Sequence, residues 1–364
     1  MLMTISVIGA GPAGSYSAYL LAKEGFNVNL YEEHNLIGKP IQCTGITTSF
    51  IENYINNNAD FVVNKIDTVM VHSYNNNVEF KLKRKNIVMD RCGMDNYFLN
   101  KALDKGVKLF TGHRFIEANN NELIFKQNNK KVNVKKEIVI GADGPNSQVA
   151  KSFNLKGKRE NFLGLQATVK GNFDSSTFEV YLGNKICPGF FAWIVPENDK
   201  IARIGLAVRE GFKGRDYFEA FVKDKGKIME MQAGLIPIYN NKLETEKNNI
   251  YLVGDAASQV KATTGGGILY ALMASEELSK AIKNNESYEK NWKGRIGYSL
   301  MVHLLLRNYL DKFNDEDYSK LLELFNDKSA RNLIESYDRE FPIKLLMKLV
   351  LAQPKLLKYI GKVV

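Results

Sequence analysis

Thr4 to Ile8 is a short apolar-rich run that breaks at Gly9-Ala10-Gly11-Pro12-Ala13-Gly14, and beyond it Ala18, Leu21 and Ala22 recur at helical spacing as far as Glu24. That pattern predicts strand, tight turn and helix. A second run, Asn27 to Tyr31, predicts a strand ending at Glu32. Two later runs also enter glycine turns: Val139-Ile140 leads into Gly141-Ala142-Asp143-Gly144, and Ile250 to Val253 into Gly254-Asp255. Between them, Phe162–Val169, Thr177–Leu182, Phe190–Val195 and Ile201–Val208 alternate imperfectly and are separated by Gly, Pro and Asn. Those four predict an antiparallel sheet. The class expected is α/β, with an α+β substrate domain inserted into a Rossmann-like nucleotide-binding domain and a helical C-terminus. Residues 1–60, 85–155 and 241–285 are assigned to the nucleotide-binding domain, 61–84 and 156–240 to the substrate sheet, and 286–364 to helices.

The first glycine motif has a physical reading residue by residue. Gly9 permits the turn, Gly11 lets backbone amides approach a pyrophosphate, and Gly14 lets helix and strand pack closely. Pro12 and Ala13 open the helix, whose N-terminus offers unpaired N–H groups to phosphate. An acid about twenty residues beyond accepts hydrogen bonds from an adenosine ribose and repels a 2′-phosphate, which disfavours NADP. Strand alternation after Leu30 favours Glu32 for that role, with Glu33 as its neighbouring candidate.

The later turns favour FAD over NAD. Asp255, at a strand end, is placed to accept a ribityl hydroxyl, and Gly265, Gly266 and Gly267 precede Ile268, where a helix begins. Amides there reach the flavin N1 and O2 side, where negative charge appears on reduction. Each feature also has a plainer reading: Asp143 beside Gly144 organises its own turn, and Gly265 to Gly267 form a flexible loop.

Taken together, these blocks resemble the para-hydroxybenzoate hydroxylase-like FAD superfamily, and within it the archaeal geranylgeranyl reductases, over roughly residues 4–280. The resemblance implies that Gly9, Gly11, Gly14 and Glu32 bind the adenosine diphosphate part of FAD. It also puts Arg91, from the segment Asp90-Arg91-Cys92-Gly93-Met94-Asp95, near the cofactor. Lys39-Pro40-Ile41-Gln42-Cys43-Thr44-Gly45 resembles the reductases' Cys-x-Gly segment by the flavin, which brings in Cys43 and Gly45. Pro188 to Pro196 resembles their PxxYxWxFP substrate-cavity motif, with Phe191 where the motif has Tyr and Val195 where it has Phe.

The resemblance implies saturation of isolated C=C bonds in the geranylgeranyl chains of archaeal membrane-lipid precursors, with a prenylated lipid or geranylgeranyl diphosphate as substrate. Such an alkene needs hydride from flavin N5, a proton for the other carbon, and a dry apolar tunnel. Phe190, Phe191, Trp193 and Val195 are the candidate lining, with a core role as the alternative, and Cys43 is either a proton or electron relay or a small buried hydrophobe. The competing enzyme class is a flavin-dependent monooxygenase or halogenase acting on an aromatic or apolar substrate, although the halogenase WxWxIP segment is not found. A flavin-dependent cyclase and an FAD-holding lipid-presenting module complete the alternatives. No second GxGxxG is found, so NAD(P)H docks transiently as donor or a ferredoxin-type carrier serves instead.

Composition excludes more than it assigns. The 50 basic and 40 acidic residues leave a formal charge of +10, carried mostly by Lys dispersed along the chain, which reads as solvated surface rather than as a nucleic-acid face. Three cysteines are too few and too scattered for a disulfide framework or a CxxC metal site, and His34, His72, His113 and His303 lack ligand spacing, so no metal is expected. No apolar stretch reaches the roughly eighteen residues a membrane span needs. A cytoplasmic location is expected, with peripheral attachment to the cytoplasmic membrane surface as an extension. In residues 341–364, five lysines accompany an apolar stripe at Leu345, Leu349 and Ala352. That segment is either an interfacial amphipath or a basic helical pair capping the substrate domain.

Overall fold

A computed structural model describes residues 3–56, 59–336, 340 and 342–353. The chain divides into two compact units. The first comprises Met1–Ile41, Arg91–Glu160 and Ile236–Met301, and the second Gln42–Asp90, Asn161–Leu235 and Val302–Val364.

In the first unit the apolar runs become a six-stranded sheet, ordered Glu246–Lys247, Ile250–Leu252, Ile138–Gly141, Thr4–Ile8, Asn27–Tyr31, Lys108–Phe110. Every pairing is parallel except the first. Parallel strands are covered on both faces, which is why Ile5, Val7, Leu30, Val139, Ile140 and Leu252 are all inaccessible. Helices Pro12–Lys23 and Ile268–Asn284 lie together, joined where the Ser17 hydroxyl donates to Ser275 Oγ at 2.9 Å. A three-stranded antiparallel sheet, residues 114–135, adds Phe115, Leu123 and Phe125 to the core around Tyr31. Its second hairpin turns at Asn128-Asn129, and Asn248-Asn249 turns another, all four residues at positive φ. Paired positive φ is what a two-residue type I′ turn demands, and Asn tolerates it.

The second unit is built on an eight-stranded sheet in the order Lys227–Ile238, Glu160–Lys170, Ile201–Arg209, Ala192–Asn198, Thr177–Tyr181, Val62–His72, Asn77–Met89, Ile46–Thr48. The four expected strands are present, but the sheet is not wholly antiparallel: Thr177–Tyr181 runs parallel to Val62–His72. A parallel neighbour requires a long crossover. Residues 91–160, which leave to build the first unit, lie within it. The strand expected from Phe190 starts instead at Ala192, because Gly189 turns the chain at φ +81° just before it.

The helices Asp315–Phe325 and Lys328–Ser336 close over Val69, Val78, Phe80, Leu82, Phe178 and Val180 of that sheet. On helix Pro342–Ala352, Leu345 and Leu349 are buried against Ala330, Leu333 and Ile334. Leu345 and Leu349 of the stripe thus pack on the preceding helix, while Met347 and Leu351 stay exposed. Residues 354–364, with the remaining lysines of that segment, lie outside the described residues.

Candidate functional site

In the first unit the crevice is set by contrasts in packing among the glycines of the first turn. Gly9 has φ +102°, and a Cβ there would stand 2.3 Å from the Ala142 carbonyl oxygen; one on Gly14 would stand 1.9 Å from the Gly9 carbonyl oxygen. Gly11, between them, has an ordinary φ of −70° and nothing within 4 Å of its Cβ position. Of these three glycines, Gly11 is the one that leaves space, where the helix opens with Pro12 in its first turn. An unfilled spot beside a helix start with no acidic residue in its first turn suits a pyrophosphate.

Glu32 closes one side of this turn. Its carboxylate accepts the Ala10 amide at 2.8 Å and the His34 amide at 3.0 Å, and meets His34 Nδ1 at 2.7 Å. Glu33 points outward to Arg114 at 3.6 Å, so of the two acids Glu32 is the one held at the glycine turn.

The other motifs pack on the same helix start. A Cβ on Gly254 would stand 2.8 Å from Ala13 Cβ, and one on Gly267 3.1 Å from Asp255 Oδ1. Asp255 thus sits between the two helix N-termini. Burial pushes its carboxyl up to about 6, opposed by the nearby positive charge of Arg91. Among the described residues no hydrogen-bond donor reaches the Asp255 carboxylate oxygens, so a hydroxyl-bearing ligand would satisfy them. Arg91 is held by both oxygens of Asp95 at 3.1 Å.

Asp143 is different. Ser147 donates its hydroxyl to it at 2.7 Å and the Val149 amide at 2.9 Å, so it organises the turn that carries Gly144. Burial raises its carboxyl above the usual range, with those hydrogen bonds pulling the other way. Gly144, at φ +79°, has nothing within 4 Å of its Cβ position. The loop at Gly265, Gly266 and Gly267 is tied rather than free: the Lys261 carbonyl accepts the Gly265 amide at 2.9 Å, and the Lys261 amide donates to the Gly266 carbonyl at 3.3 Å. Gly267 is the N-cap of the helix that begins at Ile268.

In the second unit, four rings form a continuous row. Phe162 and Phe190 have centroids 4.6 Å apart, Phe190 stacks on Phe191 at 4.4 Å, and Phe191 meets Trp193 edge-on at 5.8 Å. Phe190, Trp193 and Val195 are buried, whereas Phe191 is only partly so. Phe191 is therefore the ring of this row most open to a ligand.

Sequence reasoning missed what holds these rings. The Trp193 indole N–H donates to Gln166 Oε1 at 3.0 Å, and the Thr44 hydroxyl donates to the same oxygen at 2.6 Å. Gln166 in turn donates to Gln232 Oε1 at 2.7 Å. Gly205 makes room for the indole: a Cβ there would stand 2.6 Å from Trp193 Cζ2. Arg203, buried, donates to the Thr44 and Met89 carbonyls and to Glu197 at 2.7 Å. The Cys43-Thr44-Gly45 segment is thereby fixed to the aromatic strand. Cys43 is half-buried rather than sealed in a core; its sulfur receives the Gly45 amide at 3.4 Å, and Gly45 adopts φ +71°. No periodicity marks Gln166 or Arg203, since a lone polar residue in an apolar run looks solvent-facing in sequence.

Comparison with known proteins gives results of the same kind. A family model described as the geranylgeranyl reductase catalytic domain matches residues 163–236, and one for an NAD(P)-binding Rossmann-like domain matches residues 7–48. The chain is 30% identical to the digeranylgeranylglycerophospholipid reductase of Methanocaldococcus jannaschii, an alignment covering 98% of this chain and 96% of that protein. Among solved structures it is similar to a geranylgeranyl bacteriochlorophyll reductase-like protein from Thermoplasma acidophilum, with TM-score 0.84 and 20% identity over the whole of both chains. A flavin-dependent brominase shares the fold at TM-score 0.64 and 15% identity, covering 99% of this chain and 93% of that one.

Proposed function

Because this chain belongs to the archaeal digeranylgeranylglycerophospholipid reductase family, we propose that it is an FAD-dependent reductase saturating isolated C=C bonds in the geranylgeranyl chains of membrane-lipid precursors. The observation that carries the reading is that the stretch matching the reductase catalytic domain, residues 163–236, contains Phe190, Phe191 and Trp193 of the aromatic row together with Gln166 and Gln232, which hold the indole. The shared fold by itself does not separate a reductase from a halogenase.

FAD suits the residues of the first unit. The open space at Gly11 would take the pyrophosphate, Glu32 the adenosine ribose, and the donor-free Asp255 carboxylate a ribityl hydroxyl. Arg91, Gly144 and the amides opening the helix at Ile268 complete the assignment. When bound, the flavin supplies the hydride. The chain's own residues do the rest: the aromatic row orients an apolar chain and excludes water, which keeps a carbon centre of developing positive charge from being trapped.

Cys43 is the proposed proton carrier. Its thiol is half-buried and steadied by the Gly45 amide, and the Thr44–Gln166–Trp193 hydrogen bonds fix its neighbour. Phe191 has no hydroxyl, so the proton is not taken from that position. Electrons come from a nicotinamide nucleotide docking transiently or from a ferredoxin-type carrier.

The test is anaerobic. Flavin reduced on the protein should be reoxidised when a digeranylgeranyl glycerolipid is added without oxygen. Reoxidation only on admission of oxygen, with a hydroxylated or halogenated product, would overturn the reductase reading.

A further inference from the structure

We propose that Arg209 and Arg307 form the site that receives the phosphate at the head of the isoprenoid substrate, so that the lipid lies along the aromatic row in one direction. This rests on the reductase reading above. Arg307, on helix Tyr298–Leu310, donates from Nε to Asp311 Oδ1 at 2.7 Å, and Arg209 Nη2 reaches Asp311 Oδ2 at 2.5 Å. Two guanidiniums thus share one carboxylate, and among the described residues no second carboxylate pairs with either. The neighbouring thiol and phenol supply no charge: burial pushes Cys187 up to about 12, against the pull of Arg307, and burial also raises Tyr318. The Arg307 side chain is 2% exposed, yet its Nη2 meets no acceptor among the described residues, and neither does the buried Nε of Arg209. A buried cation with unused N–H groups is costly unless an anion meets it. The flat fork of a guanidinium matches phosphate oxygens.

The cluster adjoins one end of the row. The Arg209 guanidinium carbon stands 5.7 Å from the Phe162 ring centroid and that of Arg307 5.9 Å from the Phe190 centroid, and these two rings are neighbours at 4.6 Å. Gly189, at φ +81°, lets the Arg209 stem lie close, since a Cβ there would stand 3.1 Å from its Cγ. The other end of the row is Trp193, whose N–H is taken by Gln166. The Arg209 side chain is 35% exposed, so the cluster is reached from solvent at that arginine. Arg209 is therefore the contacting residue, and Arg307 is the inner charge that holds Asp311 and keeps the cluster net positive. A prenyl diphosphate and a prenylated glycerophospholipid both carry phosphate at one end of the chain. With that phosphate at Arg209, the isoprene units would run past Phe162 and Phe190 toward Phe191 and Trp193.

Equilibrium binding tests this without turnover. The Kd is measured on FAD-loaded protein for geranylgeranyl diphosphate, a digeranylgeranyl glycerophospholipid, the uncharged alcohol geranylgeraniol and inorganic pyrophosphate. The parent should bind at least one of the two phosphorylated lipids about tenfold or more tightly than the alcohol, and which of them it prefers identifies the source of the phosphate. Arg209→Gln should erase most of that preference, while Arg209→Lys, which keeps the charge but not the fork, should retain part of it. Equal Kd for charged and uncharged lipids in the parent would overturn the proposal, as would an Arg209→Gln protein that keeps the parent's preference. Pyrophosphate binding as tightly as the preferred lipid would make the cluster a site for the free anion and overturn its assignment to a lipid head. If Arg209→Gln does not fold, Arg209→Lys carries the variant test, and a preference unchanged from the parent overturns the proposal. Phosphorylated lipids that bind with this preference but never reoxidise reduced flavin would instead sink the reductase reading, a result distinct from the others.

Discussion

Replacing Gly11 and Gly14 by alanine, one at a time, separates the work of binding from the work of folding at the first turn. At Gly11 the added methyl meets nothing within 4 Å and φ is −70°, so the folded apoprotein has no reason to resist it. The modest loss of N-cap preference is offset by reduced freedom in the unfolded chain, leaving a net change within about 0.5 kcal/mol. The same methyl stands where phosphate oxygens would approach the helix amides. FAD affinity should therefore fall at least tenfold, about 1.4 kcal/mol. Gly14→Ala is the converse: helix propensity favours alanine by about 1 kcal/mol, but a Cβ 1.9 Å from the Gly9 carbonyl oxygen forces strand and helix apart. A net loss of about 1–3 kcal/mol is expected. Urea unfolding of the apoproteins and titration with FAD, followed by flavin fluorescence, read both quantities. A Gly11→Ala protein that binds FAD as tightly as its parent would refute the assignment of this crevice to the pyrophosphate.

Three further outcomes follow from the same geometry. Burial raises the Asp255 carboxyl from 3.8 to about 6, so the native apoprotein keeps a proton that the unfolded chain has lost, and stability declines as pH rises through that window. Asp255→Asn should match the parent near pH 4 and exceed it by up to roughly 3 kcal/mol above pH 6 in urea titrations of the apoprotein, while binding FAD more weakly. Gly205→Ala, with its Cβ 2.6 Å from the Trp193 ring, should cost about 1–3 kcal/mol and alter indole fluorescence. Cys43→Ser should retain FAD stoichiometrically and lose most alkene reduction; near-normal turnover with flavin bound would remove Cys43 from the proton path.

What was legible in the sequence was whatever the backbone dictates locally. Gly9 and Gly14 are glycines because a Cβ would collide with a carbonyl oxygen, and such positions announce themselves in a strand–turn–helix context. Strand alternation after Leu30 sets Glu32 and Glu33 apart, and Glu32 is the one at the glycine turn. What was not legible depends on chain brought together from afar. Gln166 lies 122 positions from Thr44, and nothing in its own strand foretells that it receives both Thr44 and Trp193. The parallel pairing of Thr177–Tyr181 with Val62–His72 is equally non-local. Leu345 and Leu349 pack on a neighbouring helix carrying Ala330, a contact their own spacing does not foretell.

The most direct measurement is the mass of the lipid. Protein loaded with FAD and reduced without oxygen is mixed with a digeranylgeranyl glycerophospholipid, and the extracted lipid is weighed by mass spectrometry against the flavin reoxidised. A gain of two hydrogens for each flavin consumed is expected. Lipid of unchanged mass, or carrying added oxygen or halogen, would contradict the account.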